Sequence, residues 1–275
     1  MNIVRHIGKS QLGSAINFKQ YLFRNNEKII TIIGEYHNYD FNCINNKDIS
    51  QYCLERVKNN KNCSILLEYS KYDDPKTIGS TTINSTYNKL LKHKKKKHIV
   101  PVDFRTLFLK TKGQSKLYDI KWSLEPGEKW TKNKILKTYI NPFFIKAKTI
   151  LKLNPKKYSN ESYRNIYFYI LNVIAPQFNF INDNLDRFEL DPLQEELRVV
   201  WNKIMDIGIL IHILSKDTTD EYIVIAGNRH CKNLERMLDV DFHTQFKLIH
   251  SQSYVADKCI ELNGTYKKEE SDNQE

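Results

Sequence analysis

The chain has 275 residues, 40% of them hydrophobic, enough to bury the core of one large domain or of a domain with an insert. Its 43 Lys and Arg against 32 Asp and Glu leave a formal charge of +11. The hydrophobic content excludes wholesale disorder, and five cysteines, odd in number and widely spaced, exclude a disulfide scaffold.

Glycine (9), proline (7) and methionine (3) are scarce while Lys, Asn, Ile and Tyr abound, a skew that fits an AT-rich coding genome such as that of a large DNA virus. Part of the positive charge follows from that skew. The opening residues MNIVRHIGKS contain no apolar run of signal-peptide length. The most apolar stretch, IMDIGILIHIL at 204–214, is too short to span a bilayer and is interrupted by Asp206 and His212. The expectation is an intracellular chain with free thiols and no membrane span.

In chain order, Ile29–Ile33 (IITII) is the first short run rich in β-branched residues, and Gly-Glu-Tyr-His follows it. Such a run reads as a strand buried on both faces. Asp48 then caps a helix with apolar positions at Ile49, Tyr52, Cys53 and Val57. Ser64–Leu67 (SILL) is the second strand and runs into Glu68, so the helix before it completes a βαβ unit. Residues 81–92 are a second connecting helix. His98–Val102 (HIVPV) is the third strand, followed by Asp103 and Arg105; Pro101 cannot donate to a ladder, which puts this strand at an edge or a bulge.

Residues 107–218 read as a helical insert, packed on the sheet like a lid. Its clearest helix has Asp191 as N-cap, Pro192 in the first turn and Gln194 completing a capping box. Tyr222–Ala226 (YIVIA) is the fourth strand, and Gly-Asn-Arg-His leads from it into a helix over Cys231–Leu238. Phe246–Ile249 is a further strand, and 265–275 a disordered charged tail. The fold class is therefore α/β: a mostly parallel sheet flanked by helices, built from 1–106 and 219–264, with the helical insert between its third and fourth core strands.

In a parallel α/β sheet, ligands bind at the carboxyl ends of the strands. The ionisable residues of this chain fall there: Glu35, His37, Glu68, Asp103, Arg105 and His230. Two of the four ends carry the same Gly-x-x-His pattern, Gly34–His37 and Gly227–His230. The glycine would let the chain turn off the strand and let a ligand approach the backbone. A carboxylate such as Glu68 beyond an apolar strand must be solvated, paired or metal-bound. A salt bridge to Arg105 is its structural alternative.

Gly34, Glu35 and His37 after a first strand, Glu68 ending a second, Arg105 after a third, and Gly227 with His230 after a late one together resemble the TraB/Tiki group, which belongs with the erythromycin-esterase and ChaN-like proteins. The resemblance covers about residues 27–106 and 220–250. It implies an α/β core with a polar site at the strand ends. Tiki-like members are divalent-metal-dependent proteases, esterase-like members use a His base without metal, and ChaN-like members bind haem iron.

The leading expectation is a hydrolase cleaving a peptide or amide bond, or acting on another small molecule, with His37, Glu68, His230 and Glu35 as ligands of Mn, Co or Zn. Arg105 would stabilise negative charge developing on a substrate oxygen. The alternatives are a metal-free esterase with a His base, a haem carrier, and a nucleic-acid binder acting through Lys92, Lys94, Lys95, Lys96 and Lys97. Cys231, next to His230, reads as a buried helix residue, while Asn228 and Arg229 would touch a substrate.

Overall fold

In the computed structural model the described residues are 3–5, 11–13, 15–24, 27–35, 46–69, 81–103, 169–184, 187, 190–215, 218–253, 260–261 and 266–268. The chain divides into two compact units, one of Met1–Pro101 with Asp217–Glu275, the other of Val102–Lys216.

The first unit opens with two short strands, β1 (Ile3–Arg5) and β2 (Gln11–Gly13), and then the hairpin of β3 (Ala15–Phe23) and β4 (Lys28–Glu35). A short strand β5 (Asn46–Asp48) leads into helix α1 (Ile49–Asn59). Strand β6 (Cys63–Leu67), helix α2 (Thr81–Lys92) and strand β7 (Ile99–Pro101) follow. The second unit contributes helices α3 (Ala175–Asp183) and α4 (Leu190–Ser215), where Lys203 donates to Gln177 at 2.7 Å. The chain returns as β8 (Glu221–Gly227), α5 (Asn228–Arg236) and β9 (Phe246–Ser253). Two short strands, β10 (Ile260–Glu261) and β11 (Tyr266–Lys268), come last.

The main sheet has six strands in the order β7-β6-β8-β4-β3-β9. β7, β6, β8 and β4 run parallel, and β3 is antiparallel to both β4 and β9. This is the expected α/β class with a mostly parallel sheet flanked by helices. The runs IITII, SILL and YIVIA lie in its centre because every residue of β4, β6 and β8 is buried. Pro101 ends the edge strand β7, where its missing N–H leaves no gap inside the ladder.

One side of the sheet carries α1 and α2. Ile33, Ile65, Leu67, Ile223 and Ile225 pack there with Ile49, Tyr52, Val57 and Leu90 into one apolar cluster. Each such side chain contributes about 1.5–3 kcal/mol when taken out of water. Asp48 caps α1 as expected, accepting from the Gln51 N–H. Helix α5 packs on β4 and β8, where the Cys231 thiol donates to the carbonyls of Ile33 and Ala226, each at 3.4 Å. Among the described residues no helix is long and apolar enough to cross a membrane.

Several expectations change. The first two expected strands, β4 and β6, are parallel but not neighbours, because β8 lies between them. α4 begins at Leu190, one residue ahead of its expected cap Asp191. β9 runs on to Ser253. Residues 266–268, at the start of the expected disordered tail, pair as β11 with β1, which supplies them a partner strand. The unit Val102–Lys216 overlaps the expected insert, and its described helices are α3, α4 and the π-helical turn Ile170–Ile174 before α3.

Candidate functional site

The connections leave the sheet in two directions. From β4 the chain passes through α1 to β6, toward the β7 edge, whereas from β8 it passes through α5 to β9, toward the opposite edge. Adjacent parallel strands whose connections run toward opposite edges mark a reversal of strand order, and open α/β sheets bind ligands outside the carboxyl ends of the strands at such points. Here that reversal falls between the ends of β4 and β8, where Glu35 is in register with Gly227.

Gly227 is the residue around which the site is arranged. It closes β8 and forms the N-cap of α5. Its N–H donates to Glu68 Oε2 at 2.7 Å, so the carboxylate from the end of β6 sits at the positive end of the helix dipole. The Glu68 N–H in turn donates to the Ile225 carbonyl at 3.1 Å. The other carboxylate oxygen, Oε1, lies 3.4 Å from His230 Nε2, and the two side chains are only 9% and 8% exposed. Glu35, 1% exposed, closes β4 on the other side of Gly227.

The backbone thus brings together Glu35, Glu68 and His230 from three strand ends. Among the described residues no three His, Cys, Asp or Glu side chains converge closely enough to hold a metal ion. Glu35 therefore does not complete a three-donor set with Glu68 and His230. His37 and Arg105 lie outside the described residues. Asp103 is half-buried and belongs to the second unit. Asn228 is half-buried, Arg229 exposed and Cys231 buried, as expected for a helix residue packed on the sheet.

The two Gly-x-x-His motifs are not structurally equivalent. Gly34 lies inside β4, paired with Ala226, while Gly227 starts a helix, so the motifs are offset by one residue. At Gly227 the backbone has φ −55° and ψ 143°, open to any residue, so it is not the turn that calls for glycine there. At Gly34 the requirement is space. A Cβ there would stand 2.9 Å from Asn228 Oδ1 and 3.2 Å from Asn17 Cβ.

Between β3 and α5 lies a polar network that sequence patterns did not single out. Asn17 of β3 donates to Glu235 Oε1 on α5, and Lys19 pairs with Glu235 at 3.1 Å. Burial drives the Glu235 carboxyl above its ordinary value, and the Asp239 charge adds to this against the opposing effects of Lys19 and Asn17. Tyr21 donates to Asp239 at 3.2 Å, and burial together with Asp239 and Glu235 raises its phenol far above the usual range. The only sequence signal for this network would have been buried polar residues in a strand not recognised from its pattern.

Comparison with known proteins gives no matching family model, no matching curated protein and no matching solved structure.

Proposed function

We propose that the protein is a divalent-metal-dependent hydrolase, acting on a peptide or amide bond at the carboxyl edge of the sheet. The observation that carries the reading is the spacing of Glu68 Oε1 and His230 Nε2. At 3.4 Å it is longer than a charge-assisted hydrogen bond. It equals the edge of a tetrahedron of donors about 2.1 Å from a central ion, which is about 3.4 Å. The donors are of the types that Zn, Mn or Co accept, one carboxylate oxygen and one imidazole nitrogen.

Glu68 and His230 would be two of the ligands, and His37, two residues beyond Glu35, the third. The ion would supply Lewis acidity toward a substrate carbonyl. The rest is assigned to the chain itself. The Gly227 N–H fixes Glu68 through Oε2, leaving Oε1 to face His230. Glu35, in register with Gly227, would accept a proton from the attacking water. Arg105 would stabilise the oxyanion. The motif resemblance to the TraB/Tiki group supports the same reading.

A second reading uses the same pair without metal, with His230 as base and Glu68 as the carboxylate that orients it, on an ester substrate. Calorimetric titration of the purified chain with Zn, Mn and Co separates the two. The metallohydrolase reading expects one ion per chain, at least tenfold weaker binding in Glu68→Gln and His230→Ala, and amide hydrolysis lost with a chelator. Turnover that survives chelation and is lost in His230→Ala would leave the metal-free reading in its place.

A further inference from the structure

We infer that the amino-terminal edge of the sheet carries a second functional surface, a lysine-bearing turn that docks the phosphate backbone of a nucleic acid. The turn links α2 to β7. The Lys95 N–H donates to the Leu90 carbonyl at 2.8 Å and the Lys94 N–H to the Leu91 carbonyl at 3.0 Å. These are the two bonds of a Schellman helix stop, whose left-handed residue is normally glycine. Here that residue is Lys94, at φ 56°. A lysine held at a position where glycine is conformationally preferred presents its charge at a backbone cost.

The turn is held in place. After Lys96–His98 turns back toward the sheet, His98 is buried and its Nδ1 lies 2.8 Å from the Cys63 carbonyl at the start of β6. Lys92, Lys94, Lys96 and Lys97 are exposed on this scaffold, and none forms an ion pair with a described residue. Lys58 and Lys61, exposed at the end of α1 and before β6, extend the patch along the same edge. Two acidic groups of that edge have partners on the protein. Glu221 is paired with Arg56 at 2.7 Å, and Asp220 accepts from Asn62 at 3.0 Å.

Phosphate contacts alone suffice for sequence-independent nucleic-acid binding. A polybasic patch on a membrane needs a second anchoring signal. Helix α2 does not supply one, since Ile83 and Leu90 are buried in the core and only Leu91, 42% exposed, is left as a large apolar side chain outside. The surface lies at the opposite end of the parallel strands from Glu68 and His230, about 20 Å away for a seven-residue strand. It therefore stands independently of the hydrolase reading.

Fluorescence anisotropy of the full chain with labelled DNA and RNA 20-mers tests the inference. Four phosphate contacts predict a slope of about −3.6 in log affinity against log salt, or about a 150-fold loss between about 50 and 200 mM. A chain with Lys92, Lys94, Lys96 and Lys97 all changed to Gln should bind at least about tenfold more weakly and lose most of that slope. Lys94→Gly should bind a few-fold more weakly while its Tm rises by about 2–4 °C, since glycine relieves the left-handed residue. Unchanged affinity in the four-lysine variant would overturn the inference. So would lysine-dependent binding to phosphatidylserine vesicles with no binding to either nucleic acid.

Discussion

Gly34→Ala probes how closely β4 and the start of α5 are fitted. The new Cβ would meet Asn228 Oδ1 at 2.9 Å, Asn17 Cβ at 3.2 Å and Asn228 Cα at 3.4 Å. The first contact is with the end of a side chain. That oxygen is buried with no hydrogen-bond partner, so rotating it away breaks no bond. The other two are a β-carbon on a paired strand and backbone at the helix start, which rotation does not clear. Overpacking of this kind costs about 1–3 kcal/mol. Replacing glycine by alanine returns about 0.4–1 kcal/mol through the unfolded chain. The expected net loss is about 0.5–2 kcal/mol, read as a lower urea midpoint at unchanged m-value. Adding Asn228→Ala removes only the 2.9 Å contact, which rotation already relieves, so the losses of the two single variants should add within about 0.5 kcal/mol in a double-mutant cycle. A Gly34→Ala chain as stable as the parent, or a double variant that recovers most of the Gly34→Ala loss, would refute the proposed fit.

Other outcomes follow from charged and titratable groups. Arg56→Met leaves Glu221, 1% exposed, without its guanidinium, and should lower stability by about 3–5 kcal/mol in urea titration. Asp48→Ala removes the α1 cap and should cost about 1 kcal/mol at neutral pH. Although burial opposes it, bonds from Ser50 and the Gln51 N–H and the Lys89 charge lower the Asp48 carboxyl. Its contribution is thus present above its unfolded value and lost as pH falls through the folded one, so Asp48→Asn should flatten the acid limb of the stability curve. Glu235 has the opposite sign. Its raised carboxyl gives a contribution that is full below the unfolded value and lost as pH rises through the folded one, and Glu235→Gln should abolish that fall. Burial and the Glu221 charge push the Cys53 and Cys63 thiols far up, so mass-spectrometric mapping should find both unlabelled in the native chain and labelled in urea.

The parts of the fold legible in the sequence are those where burial leaves a simple pattern. β4, β6 and β8 are buried on both faces and read as unbroken apolar runs. The α1 cap and stripe were legible because Asp48 precedes apolar residues at helical spacing. β3 was not, because Asn17, Lys19 and Gln20 interrupt it. Asn17 Nδ2 and Lys19 meet Glu235, far away in sequence, and Gln20 donates to Thr31 across the hairpin. Strand-end position correctly gathered Glu35, Glu68 and His230 on one edge. It could not show that β8 inserts between β4 and β6, which is what seats Gly227 between the two acids. Nor could it show that Glu68 is anchored to a helix start, since a backbone N–H leaves no trace in the pattern of side chains.

The proposed function depends on Glu68 and His230 facing each other across a place for one divalent ion. Anomalous diffraction from crystals grown with manganese or zinc tests it most directly. A single strong peak is expected within bonding distance of both Glu68 Oε1 and His230 Nε2, absent in Glu68→Gln crystals. Full occupancy of an ion elsewhere, with these two side chains in contact only with each other, would contradict it.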